Sequence, residues 1–171
     1  MPASLNEMVA DAKREIELIP VEEAATRQAL ILDVREPGEF TEGHLPGALL
    51  VPRGLLEIKA DAEYPKREPA LENRSGPVIT YCTGGSGARS ALAAQTLKRM
   101  GFTNVTCLQG GLDAWSAAGK PVETGEGSRG ATTSKSEPFT RPSVCSWSFD
   151  QCGSGAPVMY QLEPLSATSI P

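Results

Sequence analysis

A single cysteine stands where an apolar stretch gives way to glycine. The segment V78-I79-T80-Y81-C82-T83-G84-G85-S86-G87-A88-R89-S90 predicts a buried strand that ends near Cys82, then a loop and a helix. Glycines let the backbone curl tightly around the sulfur, and the positive end of the helix dipole favours a thiolate over a thiol. We therefore predict that Cys82 is a nucleophile.

The loop after the cysteine is predicted to bind the substrate through its backbone N–H groups. The residues expected to line this cradle are Thr83, Gly84, Gly85, Ser86, Gly87, Ala88 and Arg89. The guanidinium of Arg89 has two interpretations: it binds an anionic substrate, or it ties the loop to the helix and to neighbouring carboxylates.

Other motifs with similar letters do not fit this segment. A phosphate-binding P-loop would need a lysine that is missing here, and a serine nucleophile elbow would need glycine where Ala88 stands. Ser86 is therefore predicted to be a loop residue. A lone cysteine is more often a small apolar filler, but a filler does not require three glycines and an arginine before a helix.

The elements that must position this loop are short and alternate in type. Ser4 with Glu7 predicts a capped helix to about residue 15, and further helices are predicted at 20–28, from 88 to about 100, and at 112–118. Apolar stretches predict strands at 16–19, 30–34, 49–51, 78–81 and 104–108. This alternation indicates an α/β fold with a five-stranded, mainly parallel sheet flanked by helices.

Composition divides the chain into a domain at residues 1–123 and an irregular C-terminal tail at 124–171. Ser, Gly, Pro and Thr make up 24 of the 48 tail residues, a composition that buries little apolar surface. Cys145 and Cys152 lie in this tail, and their spacing specifies neither a bridge nor a metal site.

The overall charge excludes some functions. The chain has 171 residues, with 16 Lys and Arg against 21 Asp and Glu, so its formal charge is −5. Such a protein repels phosphate backbones and anionic lipids, and we expect neither a nucleic-acid nor a membrane partner. The sequence has neither the pattern of a signal peptide nor an apolar run of membrane-spanning length, so we expect a cytoplasmic location.

Several separated motifs together resemble the rhodanese family of single-domain sulfurtransferases. The matching segments are I31-L32-D33-V34-R35-E36 with E39-F40, G43-H44-L45-P46-G47-A48, Y81-C82 with R89-S90, and G110-G111-L112-D113-A114-W115. The resemblance covers residues from about 15 to 122.

The resemblance implies a sulfurtransferase that works through a cysteine persulfide. Cys82 would take the sulfane sulfur of a small anion such as thiosulfate and pass it to cyanide, to a thiol or to a sulfur-accepting protein. Such a transfer needs a reactive thiolate and hydrogen-bond donors for the added sulfur, but no metal and no organic cofactor.

The loop departs from the family pattern because six residues separate Cys82 from Arg89, where rhodaneses typically have four. Related phosphatases and arsenate reductases have five. A wider cradle would accept a larger oxyanion and favour those activities, whereas an outward bulge would leave the pocket unchanged. Tyr81, where the phosphatase-like relatives usually carry histidine, favours sulfur transfer. A non-catalytic sulfur-carrier or binding module is a third interpretation.

The remaining candidates have supporting or structural interpretations. Asp33 and Arg35 follow a strand end and would form a pair that supports the loop, or an ordinary structural ion pair. Arg53 either guides anions at the rim or lies in solvent. The other three residues, His44, Cys107 and Trp115, are expected to be structural.

Overall fold

The computed structural model describes residues 3–125, and this part of the chain folds into one sheet with helices. Helices α1 to α6 span Leu5–Glu15, Val21–Thr26, Pro37–Glu42, Leu56–Ala60, Ala88–Arg99 and Gly111–Ala117. Strands β1 to β5 span Glu17–Ile19, Leu30–Asp33, Leu49–Leu50, Val78–Tyr81 and Val105–Leu108. The predictions for residues 126–171, including Cys145 and Cys152, lie outside the described residues.

The five strands form one parallel sheet in the order β1-β5-β4-β2-β3. Every predicted strand is present to within one residue at each end, so the predicted α/β fold is confirmed. All four residues of β4 and of β5 are buried, as expected for strands in the middle of a sheet with helices on both faces. Because β4 is central, the loop that follows it emerges at the middle of the carboxyl edge.

Two apolar clusters lie on the two faces of the sheet. Helices α1, α4 and α5 contribute to the first cluster, which includes Leu56, Leu97 and Cys107. Helices α2, α3 and α6 contribute to the second, which includes Phe40 and Trp115. Tyr81 belongs to the second cluster and Cys82 to the first, because successive strand residues face opposite sides.

Two α-helices, α3 and α4, and two 3₁₀ turns were not predicted from the sequence. Helix α3 begins with a proline, and a reciprocal capping box between Glu36 and Glu39 caps its N-terminus. A 3₁₀ turn at Arg53–Leu55 leads directly into α4, and another turn lies at Pro69–Leu71. These segments are too short for helical periodicity to reveal them. Within the described residues, each helix is too short or too polar to cross a membrane.

Candidate active site

The predicted nucleophile lies directly after the central strand, at the carboxyl edge of the sheet. Cys82 is only 3% exposed and packs into the apolar cluster beneath α5. Its Sγ lies 3.3 Å from Oγ of Ser90, which in turn donates a hydrogen bond of 3.1 Å to the Gly87 carbonyl. The sulfur therefore sits under its own loop and touches a hydroxyl from the first turn of α5.

The longer loop turns outward between Gly84 and Gly87. The Gly87 amide donates to the Gly84 carbonyl at 3.1 Å, and Gly85 between them has φ of +61°, a conformation that suits glycine. Gly85 and Ser86 are exposed. The extra length of the loop therefore forms an outward bulge and not a wider cradle.

Helix α6 holds the base of the loop through its first amides. The Leu112 amide donates to the Cys82 carbonyl at 2.9 Å, and the Asp113 amide donates to the Thr83 carbonyl at 2.8 Å. The approach requires glycine at 111, because a Cβ there would lie 2.3 Å from the Cys82 carbonyl oxygen and φ is +58°. This contact explains the glycine at the first position of α6.

Arg89 is bound by a carboxylate in the neighbouring helix α3. Its Nη2 lies 2.7 Å from Oε1 of Glu39, and the Thr83 hydroxyl donates to the same oxygen at 2.9 Å. The Arg89 guanidinium lowers the pKa of the Glu39 carboxyl to about 2, so the pair is charged at neutral pH. Of its two interpretations, Arg89 follows the one that ties the loop to the fold.

Several loop amides are available to an anion. Among residues 3–125, no protein acceptor is bonded to the amides of Thr83, Gly84, Gly85 or Ser86, whereas the Gly87 amide is used inside the turn. The first amides of α5, beginning at Ala88, add the positive end of the helix dipole. Unpaired amides beside a thiol can stabilise negative charge on sulfur or on a bound oxyanion.

Asp33 and Arg35 form a buried pair one strand away from the cysteine. Arg35 Nη2 lies 2.7 Å from Asp33 Oδ2 and also donates to the Gly43 carbonyl at 2.6 Å. Asp33 is opposite Tyr81 in the sheet register. Burial raises the pKa of the Tyr81 phenol far above its ordinary value, so the neutral hydroxyl accepts the Leu45 amide at 3.1 Å. Within the described residues neither side chain of the pair is hydrogen-bonded to residues 83–89, but Arg35 lines a cavity together with Thr83 of the loop.

Arg53 does not reach the loop. Its Nη1 lies 2.9 Å from Glu57 and its Nη2 donates to the Thr96 hydroxyl at 3.0 Å. Thr96 is eight residues beyond the start of α5 at Ala88, which corresponds to about 12 Å of helix. The structure thus places the Arg53 guanidinium along the flank of α5, away from the rim where one interpretation put it.

His44 and Trp115 have the structural roles expected of them. The buried His44 ring stacks on Phe40 at 3.8 Å, and its Nδ1 lies 2.9 Å from the Phe40 carbonyl. Trp115 is 5% exposed and donates to the Pro121 carbonyl at 2.8 Å. Within residues 3–125, no cluster of three or more His, Cys, Asp or Glu side chains is placed to hold a metal ion.

Three residues that shape the site were not among the sequence candidates: Glu39, Ser90 and Gly111. Glu39 and Gly111 stood inside motifs of the family resemblance, but nothing in the pattern indicated which group each would contact. Ser90 follows Arg89 directly in the first turn of α5, and its contact with Cys82 depends on how the loop folds back over the sulfur.

Curated relatives of this chain include sulfurtransferases. A sulfurtransferase of Allochromatium vinosum is 36% identical over 104 residues, which cover 61% of this chain and 87% of the relative. The chloroplastic thiosulfate sulfurtransferase 16 of Arabidopsis thaliana is 36% identical over 95 residues, which cover 54% of this chain and 78% of that protein.

Solved structures match over a similar stretch. A protein of unknown function and possible tyrosine phosphatase from Rhodopseudomonas palustris matches with a TM-score of 0.64 and 32% identity, covering 72% of this chain and 96% of that one. A thiosulfate sulfurtransferase from Pseudomonas aeruginosa matches with a TM-score of 0.53 and 29% identity, covering 64% of this chain but 20% of that one. The family model for the rhodanese-like domain matches residues 20–118, more than half of the chain, and the protein belongs to the rhodanese-like family.

Proposed function

We propose that this protein is a sulfurtransferase that carries a sulfane sulfur on Cys82. The observation that supports it most is the position of the Cys82 thiol. It lies at the carboxyl edge of the central strand, beside the Ser90 hydroxyl and under a loop with unpaired amides. Relatives named as sulfurtransferases support the same activity.

The proposed reaction has two halves that balance. The Cys82 thiolate attacks the sulfane sulfur of thiosulfate, the sulfur–sulfur bond of the donor breaks, and sulfite leaves with the electron pair. The persulfide Cys–S–S⁻ is then attacked at its outer sulfur by cyanide or a thiolate, which releases the Cys82 thiolate again. A sulfur-accepting protein with a free thiol would serve in the same way.

The site's amides and hydroxyl have a role in both halves. Ser90 Oγ lies within hydrogen-bond distance of both the Gly87 carbonyl and Cys82 Sγ, and in the second contact either atom can be the donor. Once the sulfur is deprotonated, the Ser90 hydroxyl can turn and donate to it instead. The amides of Thr83 and Gly84, at the base of the loop, would stabilise the charge of the outer persulfide sulfur. Because the Cys82 side chain is buried, the loop must move before the donor can reach the sulfur.

A phosphatase is the second candidate, and the Rhodopseudomonas palustris structure is the observation that favours it. Phosphoryl transfer to a cysteine requires strong cationic stabilisation of the phosphate oxygens. In this site the loop arginine, Arg89, already has Glu39 as its counter-charge, which favours sulfur transfer over a dianionic substrate.

The cysteines also need reducing surroundings to stay thiols, so we propose a cytoplasmic location.

Parallel turnover assays distinguish the two activities. Wild-type protein and Cys82→Ser are incubated with thiosulfate and cyanide, with an aryl phosphate, and with arsenate and a thiol. We expect thiocyanate formation by the wild type alone. Cys82-dependent hydrolysis of the aryl phosphate or reduction of arsenate, without thiocyanate, would overturn the proposal, and so would inactivity in every assay.

A further inference from the structure

A cavity of about 290 Å³ opens beside the Cys82 loop on the face covered by α1 and α5. Its lining includes Lys13 from α1, the outward turn at residues 85–87, and Cys107 and Gln109 at the end of β5. The outward turn therefore forms one wall of this cavity. The sulfur transfer proposed above does not assign the cavity a role.

The cavity adjoins the reactive sulfur. Cys107 is opposite Thr80 in the sheet register, and Cys82 follows Thr80 by two residues, so both thiols face the same side. Ser90 contacts the Cys82 sulfur at 3.3 Å and donates to the carbonyl of Gly87, a residue of the cavity wall. Ser90 therefore contacts both the Cys82 sulfur and a residue of the cavity wall.

Lys13 gives the cavity a positive charge that is not neutralised by an ion pair among residues 3–125. Burial raises the pKa of the Cys107 thiol, and hydrogen bonds with Ser90 and Thr80 together with the charge of Lys13 act in the opposite direction. Arg89, the other cation near the loop, is already neutralised by Glu39. An anion entering from this side would therefore be attracted to Lys13.

We propose that this cavity binds the anionic group of the sulfur donor, with Lys13 as its counter-charge, so that Lys13 and not Arg89 selects small anionic donors such as thiosulfate. The proposal rests on the proposed sulfur transfer. The proposal also gives the outward turn at residues 85–87 a function, because the turn and Lys13 line the same cavity.

Direct binding tests this site without requiring turnover. Thiosulfate is titrated calorimetrically into Cys82→Ser, which cannot form the persulfide, and into the same protein carrying Lys13→Gln, Lys13→Arg or Arg14→Gln. We expect Lys13→Gln to weaken binding roughly 10-fold, the loss of one charge-assisted hydrogen bond, and Lys13→Arg to preserve it. Arg14, the next residue on the same helix, is exposed and pairs with Asp11, so Arg14→Gln is the matched control and should change nothing.

The outcomes separate this inference from the proposed function. Equal effects of Lys13→Gln and Arg14→Gln, or no binding to Cys82→Ser, would overturn the cavity as the donor site even if the wild type forms thiocyanate. Binding that depends on Lys13 in a protein that transfers no sulfur would support the anion site and overturn the sulfurtransferase. In turnover, Lys13→Gln should raise KM and leave kcat unchanged, because the contact is the same before and during the reaction.

Discussion

Glu39 binds Arg89 across fifty positions of sequence, with Arg89 Nη2 2.7 Å from Glu39 Oε1. The Thr83 hydroxyl donates to the same carboxylate and accepts from Arg89 at 3.2 Å, so both ends of the loop are joined to helix α3. The arginine that closes the loop is thereby a structural tether. In the proposed function, this relationship leaves the recognition of anions to the loop amides and to other cations.

The Glu39–Arg89 pair should make folding stability depend on pH in the acid range. The pKa of Glu39 is lowered from its ordinary 4.5 to about 2, so its contribution is complete above pH 4.5 and is lost as pH falls towards 2. Both side chains are about one-third exposed, so we expect about 1 kcal/mol after solvent screening. The contribution of the pair to the free energy of unfolding is measured by urea unfolding of wild type and Glu39→Gln at several pH values. The difference between the two proteins should shrink between pH 4.5 and 2, and a constant difference would contradict the assignment.

Gly111→Ala should damage both the fold and the site. The added Cβ would meet the Cys82 carbonyl at 2.3 Å, and the residue would keep an unfavourable φ of +58°. We expect a loss of at least about 3 kcal/mol in unfolding free energy, or a displaced loop with much slower sulfur transfer. Gly119→Ala is the matched control, since φ there is +69° and the space is open, and it should cost about 1 kcal/mol. Similar losses for both variants would show that the contact with the Cys82 carbonyl is unimportant.

Ser90→Ala should slow sulfur transfer with little loss of fold. It removes the hydroxyl that lies 3.3 Å from Cys82 Sγ and that can donate to the thiolate. We expect kcat/KM for thiosulfate to fall about 10-fold and the unfolding free energy to fall by about 1 kcal/mol. Ser75→Ala alters an exposed serine in the turn before β4, outside the loop and the cavity, and serves as the control. If both variants transfer sulfur equally well, Ser90 has no part in the chemistry.

Deleting Gly85 and Ser86 should leave a folded protein whose KM for thiosulfate no longer depends on Lys13. Both residues are exposed in the outward turn, and shortening a loop by two residues changes closure entropy by less than about 1 kcal/mol. The deletion also removes one wall of the Lys13 cavity. We expect persulfide formation to persist while Lys13→Gln no longer affects KM, measured by thiosulfate kinetics in the two backgrounds. An unchanged dependence on Lys13 would mean that the turn does not form the donor site.

The positions of Cys82 and the strands could be predicted because they depend on local pattern. Short apolar runs bounded by Pro, Gly or charge mark buried parallel strands, and a glycine-rich loop between strand and helix marks the carboxyl edge. The outcome of the longer loop could not be predicted, because an outward turn and a wider cradle use the same glycines. The turn between the Gly87 amide and the Gly84 carbonyl and the exposure of Gly85 and Ser86 distinguish them.

The partners of Arg53 and Arg89 could not be predicted either. Arg53 follows a strand end, which suggested the rim of the site, but the unpredicted turn at Arg53–Leu55 directs its side chain to Thr96 on α5. Arg89 pairs with Glu39 because α3, also unpredicted, brings that carboxylate to the loop. Both contacts depend on the tertiary placement of short helices, which sequence periodicity does not encode.

The intact mass of the protein after exposure to thiosulfate tests the central claim most directly. Wild type, Cys82→Ser and Cys107→Ser are incubated with thiosulfate without an acceptor, desalted and weighed by mass spectrometry. We expect a gain of one sulfur atom in the wild type and in Cys107→Ser, none in Cys82→Ser, and loss of the added mass when cyanide is supplied. A sulfur adduct that persists in Cys82→Ser, or a wild type that gains no sulfur, would contradict a persulfide on Cys82.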